Sequence, residues 1–432
     1  MKKYILISII TISACSFNTA AQDLISLKTC YENALDNHPR AGEKHMQEQI
    51  WQLKQDNLNS AWFPKIEAGA SALYNSSVAD LGSTLGMAPL PGIENYLPSV
   101  AHDQYKVTID INQLIYDGGA TKSNRLVEDA ALEVNREEVE VELYAIREQV
   151  NRYYFTFILL QKQREQLAIY LQTITEQILS LESGIRNGVL LPSDRDVLRA
   201  EKIKIEQQAG EIGIRINSTA AVLSQLTGMD INNDTRALVP DIYIRPGEEP
   251  ARPELNVLDL KGLQLDAGKD LVRSERMPRA FAFATLGYGK PPGNDFFSDT
   301  FGPYYIVGAG IKWKIIDWKN SKRQQQLIDI NKAIIDSHRK SLEEKLVRAL
   351  EMKYAEIRSL ETALESDDEL IATLGSVRKT ALSQYNNGTI TASEYLREWS
   401  KEKEAVINRE IHAVSLTKAK VEYLNIAGKE IE

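Results

Sequence analysis

Strict alternation of apolar and polar residues predicts four β-strands in this chain. The alternation is clearest in residues 104–116, where Tyr105, Val107 and Ile109 fall on one side and polar residues fall on the other. Because successive side chains of a strand point to opposite faces, each such segment has one apolar and one polar face. The predicted strands are about 64–75, 104–116, 279–290 and 304–316.

Long segments without Pro and almost without Gly predict long helices after these strands. Residues 120–186 would form one helix of about 100 Å. Near its end, apolar residues recur at steps of four and three, as in a coiled-coil seam. They are Leu167, Leu171, Ile174, Ile178, Leu181 and Ile185. Residues 24–61, interrupted at His38-Pro39, and residues 194–227 predict shorter helices that would stack end to end beside the long one.

The chain also carries an internal duplication. An offset of 200 in the numbering aligns NGVLLPSDRDVL (187–198) with NGTITASEYL (387–396), and the same offset aligns Asp117 with Asp317. Upstream, the offset becomes 214 and aligns Pro39 with Pro253. We therefore divide the chain into a leader (1–21), a first repeat (22–228), a linker (229–249), a second repeat (250–428) and a C-terminal tail (429–432).

The strand at 279–290 has an ambiguous pattern of faces. Either Phe281 and Phe283 share its apolar face, or a second set of residues does. The second set is Ala280, Ala282, Leu286 and Tyr288. The register of the repeat favours the second set.

The leader, 1–21, resembles an export signal. Lys2 and Lys3 precede an apolar core at 4–14, and Thr19-Ala20-Ala21 offers a cleavage site. A second interpretation stays open, because ISAC (12–15) resembles a lipobox that would leave Cys15 lipid-modified. After cleavage at Ala21, Cys30 is the remaining cysteine, so no intrachain disulfide can form.

Composition and charge narrow the class of function. The chain is 43% hydrophobic and 26% charged, which is typical of a folded protein. Removing Lys2 and Lys3 changes the net charge from −9 to −11, which argues against nucleic acid as a partner. The sequence has five His, none in H-x-x-x-H spacing, and lacks both G-x-S-x-G and a Walker A loop. We therefore expect no enzyme activity, no catalytic residues, no metal site and no cofactor.

Four two-faced strands are too few to close a membrane barrel, because such a barrel leaves no open edge in lipid and needs about eight strands or more. Three chains that share one barrel would supply twelve. The helices would then form a tube below it.

Six segments, in their order and together with the duplication, resemble the TolC-type outer-membrane efflux protein family over essentially the whole mature chain. They are LISLKTCYENALDNHP (24–39), AWFPKIEAGASALY (61–74), LIYDGGATKS (114–123), NGVLLPSDRDVLRAE (187–201), LTG (226–228) and NGTITASEYL (387–396). The resemblance implies a mainly α protein whose long helical hairpins form a trimeric α-barrel in the periplasm, with four strands per chain in a shared 12-stranded β-barrel in the outer membrane.

The resemblance also implies partners and site residues. The partners would be two further copies of the chain, outer-membrane lipid, a periplasmic adaptor protein and an inner-membrane pump of the RND, ABC or MFS type. The adaptor-docking helix tips would be Gly188, Val189, Leu190, Ser193, Gly388, Thr389, Ile390 and Ser393. The pore and gate residues would be Asp194, Tyr385, Glu394 and Arg397, with Asp194 as the hydrogen-bond partner of Tyr385.

Two residues depart from the family pattern at the gate. Ile390 stands where some members have a basic gate residue, and Arg397 stands where some have a second pore Asp. The tip glycines and Ser193 and Ser393 could instead only end and begin helices, and Glu394 could be an ordinary acid in a first helical turn. The alternative functions are a periplasmic coiled-coil scaffold without a pore and a secreted hydrolase with an unrecognised site.

Overall fold

The computed structural model of the chain describes residues 24–79, 100–186 and 192–431. The predicted leader with Cys15, and the predicted tip residues Gly188, Val189 and Leu190, lie outside the described residues. The helices are α1 (Leu27–Asn37), α2 (Glu43–Ser60), α3 (Ala120–Arg186), α4 (Pro192–Thr227), α5 (Pro253–Ser274), α6 (Asn320–Asn386) and α7 (Ala392–Ala427). The strands are β1 (Leu24–Ile25), β2 (Lys65–Tyr74), β3 (Asp103–Tyr116), β4 (Arg236–Ala237), β5 (Arg279–Lys290) and β6 (Gly302–Lys312).

The helices reproduce the duplication residue for residue. α3 and α6 each have 67 residues, and α4 and α7 each have 36. The long helices begin at Ala120 and Asn320, so their boundaries keep the offset that aligns the repeated sequence motifs. β2 and β5 begin at Lys65 and Arg279, and these positions differ by the larger upstream offset. The change of offset therefore falls between the strands, as the sequence indicates.

The chain divides into two compact units, and each unit takes segments from both repeats. The first unit comprises the described residues up to His38 together with 145–248 and 349–431. The second comprises 39–144 and 249–348. The second unit holds the four-stranded sheet, and the first holds the ends of the two helical hairpins.

The sheet of the second unit is antiparallel throughout, in the order β2-β3-β5-β6. Its register brings the predicted apolar positions onto one face. Ile109 of β3 lies opposite Ala68 of β2 and Leu286 of β5, and Leu286 lies opposite Tyr305 of β6. Directly opposed residues share a face, so the apolar face runs across all four strands. The second set of β5 residues is therefore the apolar one, as the repeat register predicts.

The end of β6 differs from the sequence expectation. The strand ends at Lys312 rather than at residue 316, and Lys312 pairs with Arg279, the first residue of β5. Beyond that pair, residues 313–316 have no neighbouring strand among the described residues. β3, which pairs with both β2 and β5, continues to Tyr116. A ladder partner, more than the alternating pattern, determines where the strand ends.

The interruption predicted at His38-Pro39 is present in the structure. The structure has two helices there, α1 in the first unit and α2 in the second, separated by residues 38–42. Pro39 explains the break, because it cannot supply the backbone N–H that a continuous helix needs. Within the first unit, the Asn37 amide donates to the Gln225 and Leu226 carbonyls at 3.2 and 3.4 Å, so α1 ends against the end of α4.

In the first unit, buried tyrosines form hydrogen bonds with backbone carbonyls of segments that are distant in sequence. The Tyr154 hydroxyl lies 3.0 Å from the Ile25 carbonyl and 2.7 Å from that of Leu238, and thereby links α3 to the parallel β1–β4 pair. The Tyr423 hydroxyl donates to the Arg245 carbonyl at 3.0 Å. In the described part of the chain, no helix combines the length and the apolar character required to cross a membrane.

Candidate functional site

The predicted tip of the second hairpin is a tight turn between α6 and α7. The Asn387 N–H donates to the Ser383 carbonyl at 3.1 Å, and the Thr389 N–H donates to the Gln384 carbonyl at 2.9 Å. Gly388 has φ of 70°, a left-handed conformation that glycine adopts without steric cost. A Cβ at this position would meet no atom within 4 Å, so the backbone conformation alone favours glycine there.

A capping box starts the returning helix. The Glu394 N–H donates to the Thr391 hydroxyl at 3.2 Å, and the Glu394 carboxylate accepts from the Thr391 N–H at 2.8 Å. Thr391 is therefore the N-cap, and the expectation that Ser393 begins this helix is wrong. Ser193 likewise lies inside α4, which begins at Pro192, a residue that the first turn of a helix tolerates.

The capping box fixes the position and the ionisation of Glu394. The hydrogen bonds from the Thr391 backbone and side chain hold the pKa of its carboxyl below the usual value. The side chain is exposed, as are those of the predicted docking residues Thr389 and Ser393. Glu394 therefore has a local structural role that would exist even in a protein without a pore.

Tyr385 is buried immediately behind the tip. Its ring stacks on Tyr395 with centroids 5.6 Å apart and planes 13° apart, and the side chain is 6% exposed. The Tyr395 hydroxyl accepts a hydrogen bond from the Gln177 amide. Burial, assisted by the nearby Asp194 carboxylate, raises the pKa of Tyr385 to about 12.

The predicted hydrogen bond between Tyr385 and Asp194 is not formed. The Tyr385 hydroxyl is buried and has no hydrogen-bond partner among residues 24–79, 100–186 and 192–431. Stacking on Tyr395 holds the ring inside the apolar cluster, while Asp194 lies in the first turn of α4. Asp194 is close enough to act electrostatically on the phenol but does not bond to it.

One apolar cluster joins the two hairpins near the tips. It contains Leu167, Tyr170, Ile174, Leu181, Leu198, Ile205, Ala381, Tyr385, Ala392, Tyr395, Leu396 and Trp399. Four helices, α3, α4, α6 and α7, contribute to it. Three residues of the predicted coiled-coil seam are fully packed there, and Leu171 and Ile178 pack against its edge. The seam of the first hairpin thus packs against the second hairpin as well.

Two shielded ion pairs accompany this cluster, and no sequence pattern indicates them. Lys403 of α7 lies 3.1 Å from Glu201 of α4, with side chains 11% and 15% exposed. Arg378 of α6 pairs with Glu402 of α7. The partners are far apart in sequence and not related by the repeat offset, so no spacing rule connects them. Removing one partner of such a pair leaves a charge that is poorly solvated.

Three of the predicted site residues line a groove on the second hairpin. The groove has a volume of about 380 Å³ and is lined by Ser376, Val377, Thr380, Ala381, Gln384, Ile390, Glu394, Arg397 and Glu398. The Arg397 guanidinium donates to the Glu398 carboxylate at 3.2 Å and lies one turn beyond Glu394. Acidic and basic groups therefore alternate along its α7 wall, whereas Ile390 supplies an apolar end.

The described residues contain no group of three His, Cys, Asp or Glu side chains that could hold a metal ion. Cys30 is buried, and burial raises the pKa of its thiol to about 12, so it is a structural residue rather than a nucleophile.

Comparisons with known proteins agree with this architecture. Residues 30–215 match the family model described as outer membrane efflux protein. No curated protein matches the sequence significantly.

Solved structures extend the similarity to nearly the whole chain. CusC, in a structure concerned with transmembrane channel formation, has a TM-score of 0.68 at 12% identity, over 94% of this chain and 92% of that one. The outer membrane protein VceC from Vibrio cholerae has a TM-score of 0.64 at 14% identity, over 94% and 97%. The MtrE outer membrane channel of Neisseria gonorrhoeae, in its open state, has a TM-score of 0.65 at 12% identity, over 94% and 89%.

The predicted resemblance is therefore confirmed: the chain carries the outer membrane efflux protein signature over residues 30–215 and the fold of outer-membrane channels over more than nine-tenths of its length.

Proposed function

We propose that this protein is the outer-membrane channel of a tripartite efflux or type I secretion system, with a periplasmic helical extension. The proposal rests on two features that occur together in one fold. A four-stranded sheet with one apolar and one polar face is joined directly to duplicated helices of 67 residues. Neither feature alone requires a channel; together they form one sector of a pore.

The sheet supplies the membrane part when three copies combine. β2 and β6 are its edge strands, and among the described residues neither has a strand partner on its outer side. Pairing β6 of one copy with β2 of the next would close twelve strands and remove every edge from lipid. The apolar face would then contact lipid, and the polar face would line a water-filled lumen.

Exposed apolar side chains on the helices support assembly of several copies. α2 has no buried residue, yet Met46, Ile50 and Leu53 are 58%, 45% and 65% exposed. A soluble monomer rarely leaves such a row in water, and a neighbouring subunit would cover it. The proposed assembly is a homotrimer.

At the hairpin tips, we assign the docking of a periplasmic adaptor protein to the turn residues predicted from the sequence. Gly388, Thr389, Ile390 and Ser393 form the described tip, and Gly188, Val189, Leu190 and Ser193 are the corresponding residues of the other hairpin. The inner-membrane pump, of RND, ABC or MFS type, would engage through the adaptor. The exposure of Thr389 and Ser393 supports this role.

The gate is proposed to use the wall of the groove on α7. Three copies of Glu394 would form a ring of carboxylates, each fixed by its capping box, with three Arg397 one turn away. A carboxylate ring favours cations, and the adjacent guanidinium groups reduce that preference. Tyr385 and Asp194 would support the gate from behind, since Asp194 acts on the buried phenol through space.

Single-channel recording in planar lipid bilayers tests the proposal. The purified wild-type protein should conduct ions, and Glu394→Gln should lower the ratio of cation to anion permeability. Glu404→Gln, at another exposed acid of α7, is the matched control and should leave that ratio unchanged. If Glu394→Gln conducts with an unaltered ratio of cation to anion permeability, Glu394 does not line the pore, but the channel proposal stands. Absence of any conductance would favour the coiled-coil scaffold.

A further inference from the structure

The connector between β6 and α6 carries large apolar side chains that the chain itself leaves uncovered. β6 ends at Lys312 and α6 begins at Asn320, so residues 313–319 lie just beyond the end of the sheet. Four apolar side chains of this connector are between 59% and 83% exposed. They are Trp313, Ile315, Ile316 and Trp318.

The surroundings of the connector are strongly basic, and those of the equivalent connector in the first repeat are not. Residues 273–279 and 312–323, the second-repeat junction, contain eight basic and two acidic residues. Residues 59–65 and 112–123, the first-repeat junction, contain two basic residues and one acidic residue. Both turns have two successive residues with positive φ, so the backbone does not require the additional charges. The residues Arg276, Lys314, Lys319 and Arg323 stand where the first repeat has Trp62, Leu114, Gly119 and Ser123.

Hydrogen bonds bring basic residues of the second-repeat junction next to its two indoles. The Trp313 Nε1–H donates to the Arg276 carbonyl at 3.0 Å, and the Arg323 guanidinium donates to the Trp318 carbonyl at 3.0 Å. The Arg276 and Lys319 side chains are exposed, and in the described part of the chain neither forms an ion pair. The junction therefore presents positive charge beside exposed aromatic rings.

Backbone strain at the junction also points to a contact outside the chain. Trp318 and Lys319 have φ of 52° and 62°, a left-handed conformation that is costly for residues other than glycine. Strained residues persist where the surrounding structure or a function requires them. Because the Trp318 side chain is almost entirely exposed, packing within the chain does not account for its presence at this position.

The length of β6 places the junction at the boundary of the membrane when the sheet spans it. A transmembrane strand needs about 9–11 residues to cross the hydrocarbon core, and β6 has 11. The strand therefore uses its whole length to cross, and the residues beyond Lys312 lie at the level of the lipid headgroups. Tryptophan is enriched at this level in membrane proteins.

A neighbouring copy of the chain does not supply the missing negative charge. In the proposed barrel, β6 pairs with β2 of the next copy, so the end of β6 lies beside the start of β2. Residues 57–66 around that start contain Lys65 and no Asp or Glu. The anionic group that complements the junction is therefore expected from the membrane.

We propose that Arg276 and Lys319, flanked by Trp313 and Trp318, bind the phosphate of an anionic phospholipid in the periplasmic leaflet of the outer membrane. The inference rests on the proposed channel function, because that function places the sheet in the membrane. Guanidinium and ammonium groups bind phosphate oxygens through charge-assisted hydrogen bonds, and basic residues at a membrane surface favour anionic lipid. The first-repeat junction lacks these charges and should show no such preference.

Native mass spectrometry of the delipidated trimer in mild detergent tests the site with two lipids, phosphatidylglycerol and phosphatidylcholine. Wild-type protein should bind phosphatidylglycerol more tightly. Arg276→Gln/Lys319→Gln should raise the dissociation constant for phosphatidylglycerol about tenfold to thirtyfold, because each basic residue contributes roughly fivefold, and should leave that for phosphatidylcholine within about twofold. Lys340→Gln/Lys345→Gln, at two exposed lysines of α6, removes the same charge and should change neither constant.

Two further measurements separate the contributions of the indole and the bilayer lipid. Trp318→Ala should weaken the binding of both lipids by a similar factor, because an indole at the interface does not distinguish headgroup charge. Glycerol 3-phosphate at the concentration of the lipid should not displace phosphatidylglycerol, because it lacks the acyl chains. Displacement by this soluble anion would show a general phosphate site and overturn the lipid assignment.

Absence of a preference for phosphatidylglycerol in the wild type, or an equal loss in the two double variants, would overturn the proposal. A lower fraction of trimer in Arg276→Gln/Lys319→Gln with an unchanged lipid preference would show that a second copy occupies the junction, and it would also overturn the proposal. If that variant does not assemble at all, Lys319→Gln alone is judged by the ratio of the two dissociation constants. Wild-type protein that forms no trimer and conducts no ions would contradict the proposed function instead, so the two failures are distinguishable.

Discussion

The two turns that lead from strand to long helix have the same backbone but different residues. Before α3 the chain reads Asp117-Gly118-Gly119, and both glycines have positive φ, 73° and 87°. Before α6 it reads Asp317-Trp318-Lys319, and the last two residues have φ of 52° and 62°. A left-handed conformation costs an L-residue roughly 1–2 kcal/mol and costs glycine very little. The turn of the second repeat therefore carries backbone strain that the glycines of the first repeat avoid.

Packing explains why the two repeats differ. A Cβ on Gly118 would lie 2.6 Å from the Met277 Cβ and 3.2 Å from the Ser274 carbonyl oxygen. Trp318 is 83% exposed, so its side chain has room that position 118 lacks. The duplicated fold therefore sets the same backbone conformation in both turns. Steric crowding favours glycine at position 118, whereas position 318 is exposed and has room for the Trp318 side chain.

The Asp that begins each turn is the common element. The Asp117 carboxylate accepts from the Gly119 and Thr121 N–H groups at 2.8 and 2.5 Å. The Asp317 carboxylate accepts from the equivalent Lys319 and Ser321 N–H groups, both at 3.0 Å. Each Asp thereby caps one of the two long helices. Both repeats keep this hydrogen-bonding function although their other turn residues differ.

The largest expected difference between the turns comes from adding a side chain. Gly118→Ala should destabilise the protein by about 2–3 kcal/mol, because it adds left-handed strain to a clash with Met277. Gly119→Ala is the matched control, since its Cβ would meet no atom within 4 Å, and it should cost about 1 kcal/mol. Thermal unfolding of the detergent-solubilised protein measures both. Equal losses would show that packing does not distinguish these positions.

Removing the Asp side chain that begins each turn should produce a smaller difference in stability between the two turns. Asp117→Ala should cost about 1–2 kcal/mol, because it removes a buried carboxylate that accepts hydrogen bonds from the Gly119 and Thr121 N–H groups at the start of α3. Asp317→Ala should cost less, because Asp317 is only half-buried and water can reach the Lys319 N–H that the substitution leaves free. The same unfolding assay compares the two variants. A larger loss of stability in Asp317→Ala than in Asp117→Ala would contradict this expectation.

A smaller effect, of opposite sign, is expected at the strained position. Trp318→Gly should stabilise the protein by about 0.5–1 kcal/mol, since relief of left-handed strain exceeds the added flexibility of the unfolded chain. Trp318→Ala, which keeps the strain, is the control and should give no gain. If Trp318→Gly is destabilising, the indole makes contacts in the assembled protein that outweigh the strain.

The smallest effect concerns acid. Burial opposes ionisation of Asp117, but hydrogen bonds from Thr121 and Gly119 outweigh it and lower its pKa; hydrogen bonds from Ser321 lower the pKa of Asp317. A lowered pKa means that the cap is fully stabilising above the ordinary aspartate value and is lost as the pH falls through the lowered one. Asp117→Asn should therefore reduce the loss of stability in strong acid. An acid-unfolding curve parallel to the wild type would contradict this.

Much of the fold could be predicted because its signals are local. Alternation in residues 104–116 and the offset between the repeats determine the faces of the strands and the lengths of the helices, and both agree with the structure. The end of β6 could not be predicted, because it depends on a pairing partner rather than on its own pattern. The break at Pro39 was visible, but its consequence, two helices in separate units, was not.

The site was less accessible to sequence reasoning. The turn at Gly388 follows from its residue type, whereas the choice of Thr391 over Ser393 as the N-cap depends on Glu394 three residues later, a capping-box spacing that is present in the sequence. The orientation of Tyr385 depends on stacking with Tyr395, and the pair Lys403–Glu201 joins different hairpins. Such contacts are set by tertiary packing, which periodicity does not encode.

If one chain supplies a third of a shared pore, the protein extracted from outer membranes with mild detergent should have the mass of a trimer. After subtraction of bound detergent, we expect three chains of at most 48.6 kDa each, released only by detergent. A monomer or dimer recovered without detergent would mean that β2 and β6 do not pair between copies, and it would contradict the channel.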